Sequence, residues 1–212
     1  MYYSKLCILR KAFASFAILF GSIPSLGQTK TIEKTITASD ISVLVVDAGG
    51  ETRIRQMDLQ TIELQATLSI SGKVYGFKLG ETERPPFEFD TSKSRDTLYV
   101  KMPSKFNYST IGANFYRETI QNQLLIPKNI KVIVRQAEEL ALSDDINYLE
   151  IKKADKVELK NTDFESYSVL YCEPKIQLKI DEKRLPAFMR KGEGHKVLMI
   201  KADYINIISK QL

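Results

Sequence analysis

Period-two alternation of apolar and polar residues limits this chain more than any other feature. In Thr61-Ile62-Glu63-Leu64-Gln65-Ala66-Thr67-Leu68-Ser69-Ile70 the even positions are apolar and the odd ones polar. Successive side chains of a strand point to opposite faces, so this run describes a strand with one dry face. The same period recurs at Ile41/Val43/Val45, Phe87/Phe89, Leu98/Val100/Met102, Ile130/Val132/Val134, Leu140/Leu142, Leu149/Ile151, Val157/Leu159, Tyr167/Val169, Ile176/Leu178/Ile180 and Ile205/Ile207. No window of helical length holds a 3.6-residue apolar stripe. The best place for a short helix is Asp181 to Arg190, where Pro186 limits it. The expected class is all-β.

Turn residues separate the runs, as in Asp47-Ala48-Gly49-Gly50, Ser71-Gly72, Arg84-Pro85-Pro86, Ser143-Asp144-Asp145 and Asn161-Thr162-Asp163. In the C-terminal half the first inward residues (Val132, Leu140, Leu149, Val157, Tyr167, Ile176) follow one another at short, nearly even intervals. Two strands therefore recur with a period of about 17–19 residues, which suits a β-solenoid with parallel β-helix-like coils. A thin coil cannot bury its own inward side chains; stacking coils builds one apolar column. Burial of each Val, Leu or Ile in it is worth about 1.5–3 kcal/mol. An antiparallel β-sandwich also spaces its strands about 8–12 residues apart and is the alternative. Tight hairpins favour Asn-Gly or Asp-Gly, and the sequence has neither dipeptide, which favours the solenoid.

The beginning of the chain has the three parts of an export signal. Lys5, Arg10 and Lys11 make a basic start without acids. An uncharged stretch follows, from Ala12 to Gly27, and it ends in Ser25-Leu26-Gly27. A spanning helix wants about 20 apolar residues. This stretch is shorter and is interrupted by Gly21 and Pro24. Cleavage between Gly27 and Gln28 is expected, leaving no transmembrane segment. The resulting organisation is a signal peptide over 1–27 and a single β-rich domain over 28–212. Within that domain, 28–104 carries longer strands, 105–122 an irregular loop, and 123–212 regular short-strand coils. An exported protein is expected, in the periplasm first and at the cell surface second.

Removal of the signal takes three of the 31 Lys and Arg and none of the 26 Asp and Glu, leaving a net charge near +2. A mixed, weakly basic surface without Lys/Arg clusters argues against a nucleic-acid partner. Cys7 departs with the signal, so Cys172 stands alone in the strand-like run Tyr167–Cys172, where burial is expected. The chain from Gln28 to Leu212 is long enough for one core without staples.

Several segments together resemble a known family. They are Asp47-Ala48-Gly49-Gly50, Ile54–Asp58, Thr61–Ile70, Thr97–Met102 and Leu124–Val132. The order resembles the bacterial "putative adhesin" β-solenoid family, the head GIN-domain type of exported protein in Bacteroidetes-like bacteria. The resemblance covers roughly Thr31 to Leu178, and its most specific element is Ile126-Pro127-Lys128. It implies a parallel β-solenoid at the cell envelope or surface, and no catalytic residues.

The chemistry-bearing residues are sparse. His195, the only histidine, sits in Gly192-Glu193-Gly194-His195 and reads as a loop residue. Gly192-Glu193-Gly194 lacks the strand–loop–helix setting of a dinucleotide site. Asp145, Asp163 and Asp181 are evenly spaced along the chain, at an interval close to the coil period. Stacked on one edge, they would offer oxygen ligands to Ca²⁺ or an acid/base pair for glycoside cleavage. Aspartates also favour turns, and turns recur at the coil period, which accounts for the spacing without a site. No catalytic residue, cofactor or metal site is expected. Candidate aromatics for an adhesive face are Tyr108, Phe115, Tyr116 and Phe188.

The expected function is a non-enzymatic envelope or surface protein, adhesin-like, that binds an envelope protein or a glycan through a β face. The alternatives are a polysaccharide-active enzyme on a β-solenoid and a periplasmic carrier of an apolar ligand.

Overall fold

The structure is a computed structural model that describes residues 28–72, 87–104, 116–143 and 146–210. The signal segment 1–27, Asp145, Tyr108 and Phe115 therefore lie outside the described residues, as does the side chain of Tyr116. The described chain is all-β, with one short 3₁₀ turn at Phe164–Ser166. Its strands are β1 (Gln28–Thr37), β2 (Val43–Asp47), β3 (Glu51–Met57), β4 (Thr61–Gly72), β5 (Asp90–Ser94), β6 (Thr97–Lys101) and β7 (Tyr116–Pro127). They continue with β8 (Lys131–Leu142), β9 (Tyr148–Ile151), β10 (Ala154–Thr162), β11 (Tyr167–Ile180), β12 (Lys183–Leu185), β13 (Phe188–Lys191) and β14 (Lys196–Ser209). β7 begins at Tyr116, inside the stretch expected to be irregular.

All 14 strands join one sheet that folds over into two flanks. Along the first, the order is β5-β6-β2, the start of β8, β9, the start of β14, the start of β11, and β13. Along the second it is β1-β4-β7-β3, then the ends of β8, β10, β14 and β11, and β12. The long strands β8, β14 and β11 cross from one flank to the other. β8, β9, β14 and β10 close a ring of four parallel pairings.

Side-chain registry explains why these segments stack. On the first flank Leu98, Leu44, Val132, Leu149, Leu198 and Leu170 form one row across six strands, each buried. Val100, Val46, Val134, Ile151, Ile200 and Cys172 form the next. On the second flank Leu64, Leu124, Ile54, Leu142, Leu159 and Ile207 run in the same way. Each member between the ends of its row lies between two apolar neighbours, the arrangement in which apolar burial is most complete.

The corner between flanks is built from small residues. Ala48, Ala137, Ala154 and Ala202 are all buried there, and Ala137 registers with Ala154. After Ala137, Ala154 and Ala202 the next inward residue comes three positions later, at Leu140, Val157 and Ile205. The inside of a bend has room for a methyl group and little more. β11 places Pro174 opposite Ala202 instead, and its register shifts between Pro174 and Gln177. In the β2–β3 corner Gly50 has φ +65°, and a Cβ there would lie 2.5 Å from the Ile120 carbonyl oxygen. Only glycine tolerates both the left-handed backbone and that approach.

The parallel stacking agrees with the expected coils, but coil follows coil only in part. β2 and β3 lie between β6/β7 and β8, and β14 lies between β9/β10 and β11. The pairings thus do not trace a single progressive wind, and solenoid coiling in chain order is not observed. Antiparallel pairing, the mark of the alternative, is confined to the two ends: β1–β4–β7 and β5–β6 at one, and β12 and β13 against β11 at the other.

Three sequence expectations are corrected. Val43 and Val45 point outward, and Leu44 and Val46 fill the core; a run apolar at all four positions has no phase for alternation to read, and Val169 likewise turns outward beside the buried Leu170, past the register shift that follows Tyr167. Ile176 is 59% exposed because it falls in the β11 register shift. Asp181 to Arg190 forms a turn and the short strands β12 and β13 rather than a helix. At the other end, Lys30 and Lys34 of β1 register with the buried Leu68 and Leu64 and so share their inward side. Lys34 Nζ reaches Thr91 Oγ1 at 2.6 Å, linking β1 to β5 across the end of the stack.

Candidate functional site

The two flanks differ in what they show to solvent. The second carries a polar outer ladder. Thr31 and Thr67 hydroxyls meet at 3.1 Å, and Gln65 donates to Glu33 at 2.8 Å. Gln121 donates to Glu51 at 3.3 Å. Such rows are what one-sided burial produces.

The first flank is apolar on its outer side too. Across its strands Tyr99, Val45, Ile133, Met199, Tyr171 and Met189 form one outward row, interrupted only by Glu150 between Ile133 and Met199. Tyr99 is 37% and Met189 58% exposed, Ile133, Met199 and Tyr171 are half-buried, and Val45 is only 8% exposed. Two residues earlier on their strands, Val43, Tyr148, Val197 and Val169 make a parallel row that Lys131 interrupts between Val43 and Tyr148. Lys131 Nζ lies 5.3 Å from the centre of the Tyr148 ring, within cation–π range.

Ion pairs border this strip on the corner side. The Arg135 guanidinium grips both carboxylate oxygens of Asp47, with Nε at 2.9 Å from Oδ1. That hydrogen bonding raises the arginine's already high pKa. Lys201 Nζ sits 2.9 Å from Glu173 Oε2, and the Tyr171 hydroxyl donates to the same oxygen at 2.9 Å. Lys201 first, then Tyr171, hold the Glu173 carboxyl below its ordinary value. In return the bond to Glu173 raises the Tyr171 phenol, which stays a neutral donor. Beside the Arg135–Asp47 pair runs a groove of about 240 Å³ lined by Asp47, Lys101, Gln136, Lys153 and Asp155 among others.

The residues singled out in the sequence take other roles. Asp163 caps the 3₁₀ turn, accepting from the Glu165 backbone N–H at 3.1 Å. Asp181, at φ 47°, accepts from Ser209 N–H at 2.8 Å and Ser209 Oγ at 2.6 Å. Those bonds depress its pKa. Both aspartates sit at the same end of the second flank, separated by β14, and Asp145 lies outside the described residues. Among the described residues no group of three His, Cys, Asp or Glu is placed to hold a metal. His195 is exposed in the β13–β14 loop, its backbone N–H donating to Ser166 O at 3.1 Å. Cys172 is buried in the inner row, as expected, and desolvation pushes its thiol up to about 12. Phe188 packs edge-on against Phe164, centroids 5.8 Å apart, and belongs to the end cap.

No family model matches the chain, and no curated protein matches it. Solved structures similar to it at low identity include the following. One is described as a "putative cell adhesion protein" from Clostridium sporogenes. It shares 11% identity over 86% of this chain and 95% of its own, with a TM-score of 0.40. A "putative adhesin" from Parabacteroides distasonis aligns with 62% of this chain and 57% of its own, at 8% identity and TM-score 0.29. Another from Parabacteroides merdae aligns with 62% and 61%, at 12% identity and TM-score 0.24.

The sequence reading missed the outward Tyr99, Tyr148, Tyr171, Met189 and Met199. For Tyr99, Tyr171 and Met199 the signal was present in the unbroken apolar runs Leu98–Val100, Val169–Cys172 and Val197–Ile200. A parallel strand covered on both sides reads in that way.

Proposed function

We propose that this chain is an exported, non-enzymatic, adhesin-like binding protein built on a β-solenoid-type stack, and that it binds an envelope protein or a glycan. The outward side of the first flank is the binding face. The observation that carries this is the tyrosine- and methionine-bearing strip on a sheet whose core side is already full. An outward strip rich in tyrosine and methionine, broken by Glu150 and Lys131 and bordered by ion pairs, has the mixed apolar and polar make-up of an interaction surface. Tyrosines add a polar tip to a large flat ring, suiting both sugar faces and protein surfaces. The ion-paired border then orients what lies on the strip.

The polysaccharide-enzyme reading has less behind it, because Asp163 and Asp181 each use a carboxylate to close backbone. The carrier reading needs an apolar cavity, whereas the grooves of about 200 and 240 Å³ have mixed linings and fall below the ~300–1,000 Å³ usual for ligand pockets.

The test compares the wild-type chain with Tyr99→Ser/Tyr171→Ser/Met189→Ser on a glycan array and on intact bacterial cells. Loss of binding at an unchanged Tm supports the face. Full binding by the variant overturns the face, and no binding by the wild type to either surface overturns the function.

A further inference from the structure

β14 follows β10 and β11 in the chain and yet sits between them in the sheet. β14 pairs in parallel with β9 and β10 on one side and with β11 on the other, over nearly its whole length. The chain reaches β11 before it makes β14. It leaves β10 at Thr162 and crosses through the turn at Phe164–Ser166 to begin β11 at Tyr167. The distance crossed is two strand spacings, about 9.5 Å. β7 is also inserted between two earlier strands, β3 and β4, but it pairs antiparallel with β4, whereas β14 pairs in parallel on both sides.

Until β14 arrives, β10 and β11 therefore flank an open slot. Its requirements are strict: a parallel strand with apolar residues at the places of Leu198, Ile200, Ala202, Ile205 and Ile207, all of them buried. The β14 of another copy meets every requirement. The connection that holds β14 to its own copy is short, running through Gly192–His195. Gly194 lies against the Ser166 backbone so closely that a Cβ would sit 2.2 Å from Ser166 C. At the far end Asp181 grips Ser209 through two hydrogen bonds. The Asp181–Ser209 anchor is made by β14 itself, so a strand from either source engages it, whereas the Gly194 contact belongs to the connection, which exchange rebuilds.

We infer that a second copy of this chain can fill the slot, giving a dimer in which two molecules exchange β14. Exchange of an identical element keeps every pairing and alters only the connecting loop. Strand addition to an open edge supplies main-chain hydrogen bonds for affinity and alternate side chains for specificity.

Glu173 and Lys201 face each other across the β11–β14 boundary, with Nζ and Oε2 at 2.9 Å. A Glu173→Cys chain and a Lys201→Cys chain, each with Cys7→Ser, are mixed unfolded, refolded together over a range of concentrations, oxidised and run on a non-reducing gel. A covalent heterodimer that grows with refolding concentration, and is absent when the folded chains are mixed afterwards, is the expected result. Gln177→Cys with Tyr204→Cys, also in register, repeats the test on the other flank should the first pair fold poorly. Glu173→Cys with Asp203→Cys is the off-register control. Heterodimer yields no higher than that control, for both in-register pairs and at every concentration, overturn the exchange.

Discussion

The buried side chain of Gln56 accepts a hydrogen bond from the backbone N–H of Asn147 at 2.6 Å, joining points 91 residues apart. Its Nε2 donates to Ile130 O, also at 2.6 Å. One amide thus ties the end of β3 to the turn before β8 and to the entrance of β9. Gln56→Leu keeps much of the volume but strands both backbone groups. Each unpartnered buried group costs about 1–3 kcal/mol, so a loss of roughly 2–4 kcal/mol is expected in urea unfolding. A loss below about 1 kcal/mol would mean that water replaces both bonds.

The corner alanines predict a size limit. Ala154 is 1% exposed and registers with Ala137. Ala154→Leu forces a larger side chain into the inside of the bend and is expected to lower stability by about 1–3 kcal/mol. Leu149→Ala, on the preceding strand β9, acts in the opposite sense. It empties a place between Val132 and Leu198, at a cost of about 2–5 kcal/mol. Chemical denaturation measures both, and an unchanged midpoint for Ala154→Leu contradicts the account of the corner.

Cys172 should be silent in the folded protein. With its thiol pushed up to about 12 by burial, the thiolate fraction at pH 8 is on the order of one in ten thousand. Iodoacetamide is expected to leave it unlabelled until denaturant is added. Because the folded value lies above the ordinary 9.0, the folded state holds the proton longer than the unfolded one. This contribution is intact below pH 9 and declines as pH rises toward 12. Rapid native labelling at pH 8 would show the site to be open.

Asp181 behaves in the reverse sense. Its bonds to Ser209 depress the carboxyl below its ordinary 3.8. Its contribution is present above that value and is lost as pH falls through the lowered one. An NMR titration should place the Asp181 midpoint below 3.8, and Asp181→Asn should speed amide exchange at Ser209 at neutral pH. Unchanged exchange would show that the end of β14 is held by backbone pairing alone.

Much of the architecture could be read from the residues. Strict alternation placed Ile62, Leu64, Ala66 and Leu68 on the buried side, and all four are at most 1% exposed. The runs containing Leu149/Ile151, Val157/Leu159 and Ile205/Ile207 were assigned their correct faces for the same reason. Val43–Val46 defeated the method because both faces of that strand are apolar, and the same feature hid the candidate binding strip. The insertion of β14 left no trace in periodicity. Pattern tells a strand which way to face, while its neighbours are chosen by edges that other segments leave open. The corner alanines were legible in retrospect, as an alanine followed three positions later by an aliphatic residue.

The inward lysines of β1 bear on how the molecule meets others of its kind. A strand joining the outer edge of β1 would bring its own apolar side chains over Lys30 and Lys34, and it would have to strip water from both ammonium groups. That rim is therefore a poor template for growth, even though its backbone is free to pair among the described residues. The stack thus carries at that end a charged stop that disfavours lengthening into a fibre.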